Sequence, residues 1–322
     1  MRFIRPFLLA CAAVACASGA IAQNYPDKPI RIVVPFPAGG GTDSLTRLIA
    51  QGANTKYGWN MVVENKPGAG GNVALDTVAK SKPDGYTLLM AQTDNAVLNP
   101  LLYGKLPYDA VKDLEPLGTI SKGIAVLVVR ADSPYKTLSD VVAAAKAKPG
   151  QVTFATPGTG TVAHLVEQLW QNASGIKFTH IPYRGISQAL PDVISGQVDL
   201  YMGSVPTMQA HIQGGKVRAL GVTSSERSSV LKDVPTFAEQ GIKGVELASV
   251  WGLMAPAGTP KDIVAKWNTA INELIAQPDV RKKIQDSGGE IMGGTPKQMA
   301  DQYAGDRTRL APVIQQGNIK LD

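Results

Sequence analysis

Residues 30–44 read IRIVVPFPAGGGTDS. The β-branched run at Ile30, Ile32, Val33 and Val34 predicts a short strand, and a Pro/Gly turn follows it. The next segment predicts a helix from about Asp43, with Leu45, Leu48, Ile49 and Ala53 on one face. Strand, glycine turn and helix start make a common anion-holding layout. The turn is not a P-loop: it lacks Gly-Lys-Ser/Thr, so no lysine reaches a phosphate and no adjacent hydroxyl is placed for magnesium. Nor is it a Rossmann fingerprint, because G-x-G-x-x-G is absent. A narrower physical content survives. Consecutive glycines let backbone N–H groups approach an anion closely, and the helix dipole favours negative charge there. A carboxylate fits as well as a phosphate. A tight turn with no ligand stays open as the plain alternative.

The same theme recurs along the chain. MVVEN leads through KPGAGG into NVALDTVAKS, and YTLLMA leads through QTDNAVLNP into an irregular stretch. AVLVVRA reads as a strand, and TLSDVVAAAKAKPG as a helix with a Pro-Gly stop. VTFATPG precedes a helix with Val162, Leu165, Val166, Leu169 and Trp170 on one face. FTHIPY precedes ISQALPDVISGQ, and VDLYMG and VRALGVTSS follow. Later, Ile263, Trp267, Ile271 and Leu274 form one stripe, and TPKQMADQYAGDRTRLAPVIQQ is a last helical segment. Alternating strands and helices predict an α/β protein with mostly parallel sheets covered on both faces. In such sheets ligands sit beyond the C-terminal ends of strands. That makes the turns at 35–43, 91–95, 156–161 and 182–185 the candidates. FATPGTGTVAH resembles the first turn, and two similar grips, one in each half of the chain, suggest a clamp.

Composition narrows the classes. Arg2 and Arg5, the apolar run Phe7 to Ala17 and the small-x-small site Ala20-Ile21-Ala22 predict a secretory leader over residues 1–22. That run is too short for a spanning helix. Leu8-Leu9-Ala10-Cys11 resembles a lipobox but would leave almost no apolar core to the leader. Both cysteines, Cys11 and Cys16, lie in the leader, so the exported part would hold no disulfide and no thiolate ligand. His164, His180 and His211 are not at metal-ligand spacing, so no metal site is expected. Removing Arg2 and Arg5 from 32 basic residues leaves 30 against 26 acidic ones, without a basic run. Nucleic acid is therefore not an expected partner. The remaining length of about 300 residues suggests two domains.

Several motifs have two readings. TPGTGT, Thr156 to Thr161, supplies hydroxyls and glycines at a helix start, as an anion grip or as simple N-capping. NKPGAGGN more readily shapes a turn than binds a ligand. Tyr183 ends a strand and points to a cleft, while Arg184 suits either a carboxylate or solvent. Asp199 sits on a buried strand and needs a partner, from backbone N–H groups or from a ligand. Trp251 reads as core rather than lid. His164, one turn into its helix, reads as a structural hydrogen-bonding group more readily than a catalyst. No G-x-S-x-G elbow is present.

Taken in order, the blocks YPDKPIRIVVPFPAGGGTDSLTRLIA, VVENKPGAGGNVA, DGYTLLM, TPGTGTVAHL, IPYRG, SGQVDLYM, GKVRALGVTS, VPTFAEQG and WGLMAPAGTP closely resemble the periplasmic receptors of tripartite tricarboxylate transporters, the Bug receptors. The resemblance implies a type II periplasmic binding fold: two α/β lobes around a central cleft, joined by two crossover strands. It places one lobe at 23–122 plus 247–322 and the other at 123–246, with crossings near Gly123 and Glu246. It implies a small organic carboxylate (a dicarboxylate, an aromatic acid or an amino acid) held by backbone groups and ordered water. Carried onto this chain, the first grip is Phe36, Ala38, Gly39, Gly40, Thr42 and Asp43. The second is Thr156, Gly158, Thr159, Gly160 and Thr161, with His164 behind it. Thr93, Asp94, Tyr183, Asp199 and Ser204 would line the specificity side. The family pattern has small and hydroxyl residues where this chain has Asp94, which in the cleft would favour an amine or hydroxyl and disfavour a second carboxylate. YMGS also lacks the acidic residue or Phe often found there, and Arg184 replaces a common lysine. The implied protein is a monomeric periplasmic receptor with no catalysis and no cofactor, serving a membrane permease. A receptor feeding a sensor kinase stays open. So does a secreted hydrolase using His164 with Ser204 or Thr161, against which the missing elbow counts.

Overall fold

The computed structural model describes residues 25–316 and 319–321, so the expected leader lies outside the described residues. The opening stretch folds as β1 (Ile30–Val34) and α1 (Gly41–Tyr57), with the helix starting two residues before the expected Asp43. Ile30, Ile32, Val33 and Val34 are all fully buried, as a central strand covered on both faces requires. Ile49 and Ala53 of α1 are buried, Leu45 and Leu48 half-buried, and Gly58 in the left-handed region ends the helix.

The first half continues as β2 (Met61–Asn65), α2 (Asn72–Ala79), β3 (Thr87–Gln92) and α3 (Asn99–Leu102). The stretch expected to be irregular is a π-helical turn, Asp94–Leu98, leading into α3. Side chains shape it: Asn95 Oδ1 accepts the Gln92 amide, and Arg307 donates to the Ala96 carbonyl. The long strand β4 (Leu114–Arg130) follows. Then come α4 (Leu138–Ala147), β5 (Thr153–Thr156), α5 (Val162–Ser174), β6 (Thr179–Pro182) and α6 (Ile186–Ser195). Next are β7 (Leu200–Ser204), α7 (Val205–Gln213) and β8 (Val217–Val222). The chain closes with β9 (Ala248–Pro256), α8 (Lys261–Ala276), α9 (Pro278–Asp286), β10 (Glu290–Ile291) and α10 (Pro296–Gln316).

Two sheets share β4. One runs β2-β1-β3-β9-β4, and the other continues β4-β7-β5-β6, with β10 and β8 also on β4. Residues 114–124 of β4 pair with β9, and Ala125 to Val128 pair with β7. The pairs β1–β2, β1–β3, β5–β6 and β5–β7 are parallel. All pairings of β4 and β9 are antiparallel, so the sheets are mixed rather than mostly parallel. β4, which passes from one sheet to the other, and β9 beside it lie outside the strand–helix–strand units that enforce parallel pairing. Along β4, Ile124, Val126 and Val128 face the core under α6 and α7, while Ala125, Leu127 and Val129 face the one beneath α4 and α5. Among the described residues no helix is long and apolar enough to cross a membrane.

Candidate ligand-binding cleft

The C-terminal ends of β1, β3, β5 and β7 and the turn after β6 converge on one cavity. It encloses about 670 Å³, counting its open mouth. Phe36, Pro37, Gly40, Gly41 and Thr42 line one wall, and Pro157, Thr161, Val162 and Ala163 line another. The start of α6 and the end of β7 add Gly185 to Ser187 and Tyr201 to Ser204 without Met202. Gly123 and Ala125 of β4, the strand the two sheets share, and Ser249 and Trp251 of β9 also line it. The halves touch across this space: Ser187 Oγ donates to the Ala38 carbonyl at 3.4 Å.

The first turn is held from behind by Asp43. Its carboxylate accepts the Gly39 amide and Asn65 Nδ2, both at 2.9 Å, and pairs with Arg47. Burial pushes the Asp43 pKa up, but the bonds from Arg47, Gly39 and Asn65 outweigh it and hold the group below its ordinary value. With Asp43 so engaged, it positions the loop. The N-cap of α1 is Gly40, which has no side-chain cap, so the first amides of α1 have no intrahelical partner, and Gly40, Gly41 and Thr42 line the cavity. Thr42 Oγ1 donates to Gln92 Oε1 at 2.6 Å, and the Trp251 indole N–H reaches both oxygens at 3.0 Å.

Those bonds orient the Gln92 amide so that Nε2 donates to Asp94 Oδ2 at 2.7 Å. Ser249 Oγ donates to the same oxygen at 2.9 Å, and the first amide of α5, Val162 N–H, donates to Oδ1 at 2.7 Å. Asp94 therefore lines the cavity and sits on the start of α5. Burial outweighs those donors and raises its pKa above the ordinary value; the three donors on its two oxygens, one of them a helix-start amide, fit the carboxylate form. Neighbouring Thr93 is buried, with its hydroxyl accepting the Val250 amide.

Of the expected residues, Phe36, Gly40, Thr42, Asp94, Thr161 and Ser204 meet at the cavity wall. Ala38, Gly39 and Asp43 shape the first turn from outside the lining. Thr161 caps α5 by accepting the His164 amide, and Gly158, Thr159 and Gly160 form the turn behind it. Gly160 N–H donates to His164 Nδ1. Tyr183 is turned away, its hydroxyl on Asp192 at 2.6 Å, and Arg184 is exposed. Asp199 accepts Thr153 N–H and Oγ1 at 2.9 and 2.8 Å, where β5 and β7 begin, so its partners are structural. Neither Ser204, paired with Thr207, nor Thr161, donating to the Gly158 carbonyl, is hydrogen-bonded to the His164 ring.

The candidate turns at 91–95 and 182–185 do reach the cavity, through Gln92 and Gly185, whereas Ser249, Gly123, Ala125 and the cleft position of Trp251 were not foreseen. Period-two alternation along β7 would have put Tyr201 and Gly203 together on the face opposite Leu200 and Met202. The partners in β9 carry no sequence signal, because only sheet pairing brings them to β3.

His164, Glu167 and His180 come together below the second turn, although their spacing suggested no cluster. Their ligand-type atoms lie within 4.8 Å of one another. The two imidazoles are stacked, with centroids 4.3 Å apart and planes 12° apart. A metal binds in the plane of each imidazole, so stacked rings do not offer two nitrogens to one ion. Thr156 is fully buried against this group, its hydroxyl 2.7 Å from His180 Nε2.

Two α/β halves that share the long strand β4 and wall a cleft with helix starts define the fold of periplasmic solute-binding receptors. The chain belongs to one family of them: residues 45–319 match the model described as "Tripartite tricarboxylate transporter family receptor". It is 34% identical to BugT of Bordetella pertussis over 311 residues, 96% of this chain and 95% of BugT. Among solved structures it resembles an R. palustris protein with adipate, at TM-score 0.89 and 31% identity over 92% of this chain and 99% of that one. It also resembles MatC from Rhodopseudomonas palustris with bound malate, at TM-score 0.86 and 31% identity over 90% of this chain and all of that one.

Proposed function

We propose that this receptor captures a small organic carboxylate in the cleft, outside the cytoplasm, and delivers it to a membrane permease. The observation that carries the reading is the start of α1: glycine-rich, without a side-chain cap, and opening into a cavity walled by both halves. Relatives that hold adipate and malate support the ligand class. The predicted leader supports export to the periplasm. In this reading the lobes are 23–122 plus 247–322 and 123–246, hinged where β4 leaves one sheet for the other. A ligand that touches both lobes stabilises the shut state in proportion to its preference for it.

The test is a thermal-shift panel on protein stripped of ligand by unfolding and refolding. A ligand at about 100 times its Kd adds about 2.7 kcal/mol of stability. Hits among carboxylates support the reading, and cells lacking the receptor should then take up the bound acid more slowly. Shifts for neutral sugars alone would overturn it.

A further inference from the structure

The charge inventory of the cavity narrows the ligand class. Among the described residues no lysine, arginine or histidine lines it, and Asp94 is the one acidic side chain in the wall. Phe36, Val162, Ile186, Tyr201 and Trp251 supply apolar and aromatic surface. A ligand anion must therefore be held by backbone amides and helix starts rather than by a cation.

Those starts are not equivalent. The starts of α1, α6 and α7 carry no side-chain cap and all three line the cavity. They adjoin around the start of α1: a methyl on Gly185 of the α6 turn would lie 3.5 Å from the Pro37 ring, Ser187 donates to Ala38, and a methyl on Gly41 would overlap the Thr207 hydroxyl of α7. The start of α5 is different. Its Val162 amide is taken by Asp94 and its His164 amide by Thr161. Asp94 is only 4% exposed and is tied to β3 through Gln92 and to β9 through Ser249, so it is not free to swing aside. A carboxylate arriving at α5 would meet occupied donors and a negative charge in place, with no cation to offset it.

We infer that the ligand is a monocarboxylate, because Asp94 itself supplies the anion at the start of α5 and leaves one carboxylate site, where the starts of α1, α6 and α7 meet. The body of the ligand is apolar, aromatic or hydroxylated. The bond from Asp94 to Val162 joins the two halves, so Asp94 also takes over part of the bridging that a second ligand carboxylate would perform. This inference rests on the receptor reading above and is sharper than it.

Matched acids test it, each pair differing by one carboxylate: hexanoate and adipate, 3-hydroxybutyrate and malate, 4-methylbenzoate and terephthalate. Titration calorimetry on the stripped protein should show the monoacid of the fitting pair binding about tenfold or more tightly than its diacid. Asp94→Ala should free the α5 amide and shift that ratio about tenfold towards the diacid. Asp94→Asn, which keeps the shape and removes the charge, should shift it the same way and serves if the alanine variant does not fold. A wild-type preference for the diacid, or a ratio unmoved in the variants, overturns the inference and leaves the carboxylate receptor standing. Binding of no acid in this panel or the broader one removes both.

Discussion

Gly41 at the start of α1 lies so close to Thr207 of α7 that a methyl group on it would overlap the Thr207 hydroxyl. The two residues belong to opposite walls of the cleft. Gly41→Ala should hold the walls apart and weaken ligand binding by about tenfold, the scale of one misfitted contact in a closed site. Thermal stability should change little, because the closed contact and not the core is affected. Thr207→Ala in the same chain should restore most of the affinity. Titration of both variants settles the point: an unchanged Kd for Gly41→Ala would mean the receptor does not close to this separation when it binds.

Trp251 links the cleft to the core, with its indole N–H on Thr42 and Gln92. Trp251→Phe removes that donor and should cost about 1 kcal/mol. Trp251→Ala should cost about 3–5 kcal/mol and lower affinity as well, since the wall between Thr42 and β4 is lost. Urea unfolding separates the two variants. Equal costs would place the weight on the hydrogen bonds instead of on ring packing.

Asp199 should matter for stability alone. Asp199→Ala leaves the Thr153 amide without its acceptor, which should cost about 1–3 kcal/mol while leaving ligand affinity as in the wild type. A large loss of affinity at unchanged stability would return Asp199 to the ligand site.

The stacked imidazoles and Glu167 give stability a defined pH dependence. Burial, with the charge of His180 adding, pushes the His164 pKa down to about 3; burial lowers His180 to about 4 and raises Glu167 to about 8. As pH falls below the ordinary histidine value of 6.5, the unfolded chain binds protons that the folded imidazoles refuse, so stability is lost towards pH 4. Glu167 acts oppositely: it stays protonated when folded, so its contribution is lost as pH rises from 4.5 towards 8. Below 6.5 two imidazoles outweigh one carboxyl, and above it Glu167 acts alone. Stability from this cluster should peak near pH 6.5, and Glu167→Gln should flatten the alkaline side. Urea midpoints at about pH 5, 6.5 and 8 check both limbs.

Much of the fold was legible in local pattern. The run Ile30 to Val34, the Gly-rich turn and the 3.6-period stripes of α1, α5 and α8 depend on neighbours within a few residues. Side-chain period and turn chemistry report those directly. The cleft was legible where a helix start follows a strand end, as at Gly40 and Thr161. It was not legible at Ser249 and Trp251, which reach the cleft only because β9 pairs with both β3 and β4.

Sequence alone thus determined the strand–turn–helix units, the glycine-rich turns and the family. Tertiary structure decided which of the helix starts after those turns is already occupied. The start of α5 looks as available as that of α1 in the chain, yet Asp94, 68 residues away, occupies it. Helix dipoles and free amides are local properties, whereas the partner that satisfies them is chosen by how the halves pack. The same holds for His164 and His180, far apart in the chain and stacked in the fold because β6 lies beside β5.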